Sequence, residues 1–155
     1  MSDSHYDLII IGGGLAGLSC ALHLSKHARI LVIEKHKYPN HKVCGEYVSN
    51  EILPYLQQLG IDPIAHGAKQ ITEFEISTSS GKTISSTLPL GGFGISRYTL
   101  DKLLYDAAKE TVAFKFETAT AISFDQDIFT ITTQANKKFT AQNVVGAFGK
   151  RSNLD

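Results

Sequence analysis

Six residues near the start of the chain, Gly12-Gly13-Gly14-Leu15-Ala16-Gly17, have the types and spacing of a phosphate-binding turn. The pattern G-x-G-x-x-G is weak evidence alone. Here it follows the short β-branched run Tyr6–Ile11 and opens the helical stretch Gly14–His27. A second apolar run, Ala28–Glu34, follows and ends in an acid. Gly12 allows a tight strand-to-helix turn, Gly14 lets the main chain approach a pyrophosphate that a Cβ would meet, and Gly17 lets the helix pack close to the sheet. Leu15 and Ala16 lie in the first helical turn, where unpaired N–H groups and partial positive charge favour an anion. The dipole contributes about 0.3–1 kcal/mol, so the directed N–H bonds supply most of the orientation. Glu34 can accept hydrogen bonds from ribose 2′- and 3′-hydroxyls, each worth roughly 1.5–3 kcal/mol when desolvated. The same carboxylate repels a 2′-phosphate. Together these residues predict a site for the ADP half of a dinucleotide, with NADP disfavoured and FAD not yet separated from NAD.

Other residues admit two readings. Cys44 lies beside His41, Lys42 and Gly45; it is either a thiol of lowered pKa or a small residue packed against a cofactor. Lys35, His36, Lys37, His41 and Lys42 form a basic cluster that either meets phosphates or is a solvated loop. Cys20, His23 and His27 share one side of a helix but lack an evident fourth ligand, so an outer helix face is expected and no metal. No Ser/His/Asp set, P-loop or paired catalytic carboxylates stand out. That pattern suits an enzyme whose cofactor carries the chemistry while the protein supplies position and electrostatics.

The elements that must hold these groups follow from periodicity. Tyr6–Ile11, the helix and Ala28–Glu34 predict a βαβ unit with a right-handed parallel crossover. Lys35–Ser49 reads as a long loop, and Asn50–Leu59 as a helix ended by Gly60. Ile71–Thr78 and Lys82–Leu88 flank Ser79-Ser80-Gly81 as a hairpin, after which Gly91–Gly94 breaks the chain. That glycine segment flanks a substrate cavity or is an ordinary loop. Thr99–Glu110 is amphipathic, with Asp101 placed to favour its first turn. Phe114–Phe116, Thr118–Phe124, Ile128–Thr133 and Lys138–Thr140 predict a β-meander, and Asn143–Ala147 a further short strand. The fold class expected is α/β: a Rossmann-like dinucleotide-binding βαβ with a central parallel sheet, an inserted hairpin and a meander, cut before completion.

A chain of 155 residues can bury roughly 70% of its unfolded surface, enough to hold together without disulfide or metal. Fifteen basic and fifteen acidic residues cancel, which argues against nucleic acid or anionic lipid as main partners. Two cysteines give no disulfide framework, and Leu8–Ile11 is too short for an export signal or a membrane span. A cytoplasmic location is therefore expected.

Three further strings carry a family resemblance: Val32-Ile33-Glu34-Lys35, Lys42-Val43-Cys44-Gly45-Glu46 and Ile95-Ser96-Arg97-Tyr98-Thr99-Leu100-Asp101-Lys102-Leu103-Leu104. They resemble geranylgeranyl-reductase-like flavoprotein dehydrogenases of the p-hydroxybenzoate hydroxylase superfamily, over essentially the whole chain and corresponding to the N-terminal part of a longer protein. The resemblance implies FAD, with Gly12, Gly14, Leu15, Ala16, Gly17, Glu34 and Lys35 on the ADP part. It implies Lys42, Cys44 and Gly45 on a loop passing the pyrophosphate and flavin, Arg97 against the cofactor, and main-chain atoms of Thr120 and Ala121 facing adenine. Cys44 is then the one side chain placed to modulate flavin chemistry. Residues 68–95 would lend strands to a substrate domain. The implied reaction is hydride transfer between flavin and an apolar substrate such as an isoprenoid or lipid, with NAD(P)H or a protein as electron donor. A flavin monooxygenase or halogenase, or an inactive nucleotide-binding fragment, is the alternative; Gly45-Glu46-Tyr47 is only an imperfect match to a halogenase Gly-Glu-Ser loop. One departure stands out. Where family hydroxylases carry Asp-Gly, this chain has Phe148-Gly149, which argues against an NADPH-driven hydroxylase.

Overall fold

The computed structural model describes residues 5–150 together with Ser152 and Leu154. The first half runs β1 (His5–Ile11), α1 (Leu15–Leu24), β2 (Ile30–Glu34), β3 (Tyr47–Ser49), a 3₁₀ turn (Asn50–Ile52) and α2 (Leu53–Gln58). A hairpin of β4 (Lys69–Ser77) and β5 (Thr83–Gly94) leads into α3 (Arg97–Ala108). The strands β6 (Ala113–Phe116), β7 (Ala119–Asp125), β8 (Ile128–Thr133) and β9 (Lys138–Gly146) complete the chain.

A six-stranded sheet in the order β6-β2-β1-β9-β8-β7 forms the centre, and β3-β5-β4 form a second, smaller sheet. β6, β2, β1 and β9 are mutually parallel, while β8 and β7 extend the sheet antiparallel. The fold is therefore α/β with a mostly parallel centre. β1 and β2 are near-continuous apolar runs because both their faces are covered. Leu8, Ile10, Ile30 and Val32 face one way, onto Ala21 of α1 and Ala108 of α3. Ile9, Ile11, Leu31 and Ile33 face the other, onto Ile131, Phe139 and Ala141 of the antiparallel part. A third cluster, around Leu18, Phe93, Leu100 and Leu104, ties α1 and α3 to the smaller sheet.

Local chemistry sets the boundaries. α1 stops at Leu24, short of the expected His27, because the Leu24 carbonyl turns to accept from the His27 and Ala28 amides. Ser96 caps α3 by accepting from the Thr99 N–H at 3.2 Å, so the helix starts at Arg97. Gly60, at φ +72°, ends the α2 region as its position predicted.

Four expectations change. Tyr47–Ser49 is strand and not loop, pairing antiparallel with Gly92–Gly94. Gly91–Gly94 accordingly does not break the chain but continues β5; a Cβ on Gly92 would lie 2.5 Å from the Tyr47 ring, so glycine is what lets this pairing close. Phe114–Phe116 lies outside the meander and is instead the parallel edge beside β2. Lys138–Thr140 and Asn143–Gly146 are one strand, which pairs antiparallel with β8 early and parallel with β1 from Thr140 onward. Among the described residues no helix is long and apolar enough to cross a membrane.

Gly17 sits where α1 crosses nearest to β1, and a Cβ there would collide with the Gly12 carbonyl oxygen. Gly17→Ala should therefore lower stability by about 1–3 kcal/mol, the usual cost of overpacking. Urea denaturation of the ligand-free chain measures it, and an unchanged midpoint would contradict the close crossing.

Candidate dinucleotide site

The turn between β1 and α1 is hemmed on three sides. Gly12 has φ +104°, and a Cβ there would strike the Ala147 carbonyl. A Cβ on Gly13 would strike the Tyr38 hydroxyl. Gly14 differs: the nearest atoms to a Cβ would be Arg97 Nη2 at 3.8 Å and Lys42 Nζ at 3.9 Å. The space in front of Gly14 is thus bounded by two cationic side chains. No side chain caps the N-terminus of α1, which opens onto the same space. Directed amides, a helix N-terminus and two cations around a position without a Cβ fit a diphosphate.

The two cations are held by one buried carboxylate. Asp101 is fully buried and accepts Arg97 through Nε at 2.6 Å and Nη2 at 2.9 Å, while Lys42 Nζ lies 3.0 Å from its Oδ2. This hydrogen bonding with Asp101 raises the Arg97 pKa above its ordinary value, so the guanidinium is always charged. Asp101 was expected as a favourable charge in the first turn of α3. It lies instead beyond that turn, facing inward as the counter-ion of two side chains from separate segments.

Glu34, at the end of β2, is 6% exposed. Its Oε2 accepts the Gly13 N–H at 2.7 Å and its Oε1 the His36 N–H at 3.0 Å. A carboxylate has about four acceptor positions, so roughly half remain for hydroxyl donors. They border a cavity of about 360 Å³ lined by Gly12, Glu34, Lys35, Thr118, Thr120 and Phe148, among others. Thr120 is an extra residue in β7: Ala119 pairs with Thr133 and Ala121 with Thr132, leaving Thr120 between them without a ladder partner. It lines the cavity, and its Oγ1 donates to the Thr132 carbonyl at 3.2 Å. Ala121, one residue on, does not line it. The far wall is steadied by Glu117, which accepts from Thr133 Oγ1 at 2.6 Å and Lys137 Nζ at 2.5 Å.

Most of the residues singled out from the sequence come together here. Gly12, Gly14, Glu34, Lys35 and Thr120 adjoin the cavity or the turn; Lys42 and Arg97 face Gly14. Cys44 and Gly45 stand at the exposed margin, Cys44 beside Arg97, with its Sγ accepting the Glu46 N–H at 3.4 Å. The basic cluster divides: Lys42 turns inward to Asp101, and Lys35 lies at the cavity rim. His23 and His27 are exposed, His23 against the Tyr55 ring, and burial pushes the Cys20 thiol up. Phe148, at the position of the family aspartate, is an apolar wall packed over Gly146.

Three contributors escaped the sequence reading: Gly13, Tyr38 and the buried role of Asp101. The i, i+4 spacing of Arg97 and Asp101 could have suggested their pairing. Nothing in the sequence could have brought Tyr38 beneath the turn, since that depends on the path of the loop after β2.

A family model described as an FAD binding domain matches residues 5–154. The chain is 25% identical over 98% of its length to a menaquinone reductase of Mycobacterium tuberculosis, of which it covers 40%. It is 29% identical over 99% of its length to the FAD-dependent monooxygenase olcE of Penicillium canescens, of which it covers 36%. Among solved structures it resembles the flavin-dependent brominase Bmp2, with a TM-score of 0.78, 23% identity, and coverage of 94% of this chain and 38% of that one. The chain thus spans about two fifths of the length of the curated relatives it matches.

Removing the carboxylate of Asp101 leaves two cations facing each other. Asp101→Ala should cost about 2–3 kcal/mol, below the roughly 3–5 kcal/mol of a wholly buried pair because water still reaches Arg97 and Lys42. Urea melts of the ligand-free chain give the value. A change under half a kcal/mol would mean that the carboxylate does not organise the pair.

Proposed function

The chain belongs to the FAD binding domain family, and from that premise we propose that it is the cofactor-holding N-terminal part of a longer FAD-dependent oxidoreductase. The observation that carries the reading is the continuity of two sites on one turn: the two-cation space before Gly14 and the cavity bordered by Glu34. A diphosphate flanked by a ribose and an adenine has the matching order of groups. In this proposal the amides of Gly14, Leu15 and Ala16, with Arg97 and Lys42, bind the pyrophosphate, and Gly12 and Gly17 permit the close approach. Glu34 takes the ribose hydroxyls, Lys35 lies at the rim, and main-chain atoms of Thr120 and neighbouring Ala121 face the adenine. Cys44 and Gly45 border the flavin side.

FAD when bound supplies two-electron redox chemistry. The chain's own residues fix where its ADP half lies. For the reaction, we favour hydride transfer to or from an apolar substrate such as an isoprenoid or lipid, in the manner of geranylgeranyl-reductase-like dehydrogenases, with NAD(P)H or a protein as donor. The similarity to an enzyme named for a lipid quinone supports that substrate class. The likeness to a monooxygenase and a brominase keeps oxygen insertion or halogenation as the second reading. The hairpin supports a two-part organisation. Phe74, Ile76 and Ile84 share one of its faces and are 42%, 63% and 73% exposed, while Glu73 and Glu75 lie on the other. Residues 68–95 would place that apolar face against the substrate domain of the longer protein. The two-cysteine composition keeps the cytoplasm as the proposed location.

Two measurements test this reading. The purified chain given FAD should stay yellow after unbound flavin is removed by gel filtration, and Glu34→Ala should weaken FAD binding roughly 10- to 100-fold, the worth of hydrogen bonds to a charged acceptor. Unchanged affinity in that variant would sink the ribose assignment. In the longer protein, a product differing from substrate by two hydrogens supports the reductase; one carrying an added oxygen or halogen supports the second reading.

A further inference from the structure

We propose that Tyr38 is a positioning residue for the cofactor's pyrophosphate, acting through the Gly13–Gly14 peptide. This rests on the assignment of the turn to FAD and adds a residue to that site. The Tyr38 hydroxyl donates to the Gly13 carbonyl oxygen at 2.5 Å, while the Gly13 N–H donates to Glu34 Oε2 at 2.7 Å. Gly13 is therefore clasped at both its polar groups. The peptide joining Gly13 to Gly14 is trans, so its C=O and N–H point in opposite directions. Fixing the carbonyl on Tyr38 therefore sets the direction of the Gly14 N–H, which points away from Tyr38, at the residue bordered by Arg97 and Lys42. It also holds the negative end of that peptide away from the phosphates. A turn without this bond would be free to rotate the peptide and present oxygen to an anion.

Tyr38 is itself well fixed. Its ring stacks on Tyr105 of α3 at 4.4 Å and 17°, with the edges of Phe114 and Phe116 of β6 at 6.3 Å and 6.1 Å. Burial, reinforced by the nearby Glu34 and Asp101 carboxylates, raises its pKa, so the phenol stays protonated and donates. Its position also explains Gly13, which the dinucleotide motif leaves free: any Cβ there would collide with the Tyr38 oxygen. Phenylalanine would fill the same space and keep the stacking. Only the hydroxyl carries the positioning role.

Tyr38→Phe in the full chain separates positioning from packing. Binding of ADP and of FAD should each weaken about three- to tenfold, the scale of one lost hydrogen bond, while adenosine, which has no phosphates, should bind unchanged. The ³¹P resonances of bound ADP should shift in the variant. Equal ADP affinity in variant and wild type, with only a lowered urea midpoint, would reduce Tyr38 to a structural role and overturn the proposal. An equal loss for adenosine would overturn it too. Failure of the wild-type chain to bind either ADP or FAD would instead overturn the cofactor-site assignment beneath it.

Discussion

The structure depends on a turn with little room for side chains. Of its three consecutive glycines, Gly12 is confined by the Ala147 carbonyl and Gly13 by the Tyr38 hydroxyl, while Gly14 faces open space walled by Arg97 and Lys42. Gly17 adds a third constraint by letting α1 lie against the Gly12 carbonyl. These contacts draw on α1, the loop after β2, α3 and the segment after β9. The fold can therefore close only if four segments agree on the position of a few backbone atoms. Such mutual consistency is what produces a single low-energy arrangement. It also delivers a preorganised set of donors without a conformational cost at binding.

The electrostatics follow the same economy of parts. A site for a diphosphate needs positive charge, yet two bare cations side by side would repel each other and stay mobile. Buried Asp101 resolves this by offering both its oxygens to Arg97 and one also to Lys42. One positive charge remains in excess, now with a defined direction. Desolvating the carboxylate is expensive, and it is repaid only because its hydrogen bonds are short and three in number. At the end of β2 a second buried carboxylate, Glu34, is satisfied by two main-chain amides. In the proposed site the two acids would have opposite tasks: Asp101 would position cations for phosphate, and Glu34 would itself accept hydroxyls.

Much of this was legible from residue types and spacing. The strand, glycine turn, helix, strand and terminal acid form a local unit whose geometry is set by short-range rules, and the structure agrees with it to within a few residues. What was not legible required long-range pairing. Gly91–Gly94 reads as a breaker because glycine lowers strand propensity, but its backbone is held between β3 and β4, where partner hydrogen bonds override propensity. Phe114–Phe116 has no pattern that distinguishes an edge strand beside β2 from a meander strand. Thr120 was singled out by resemblance, while the register shift beside it in β7 emerges only from the pairing of β7 with β8. Tyr38 lay in a stretch with no periodicity at all, so sequence pattern had nothing to say about it.

The relatives set the limit on what this geometry means. A menaquinone reductase, a monooxygenase and a brominase carry related chains or the same fold, so the fold does not select the reaction. The elements found here explain why. In the proposed site, Glu34, the glycine turn and the Arg97–Asp101–Lys42 group would all address the ADP half of the cofactor and not its redox-active ring. Selection between hydride transfer and oxygen or halogen chemistry must come from groups that meet the isoalloxazine and the substrate. Under the proposed reading, those positions in this chain would be the exposed margin at Cys44–Tyr47 and the apolar face of the β4–β5 hairpin. Phe148 adds one internal constraint. An apolar ring lines the cavity there and offers no charge, so in the proposed site the task of orienting a pyrophosphate would fall to Arg97 and Lys42 and, through them, to Asp101.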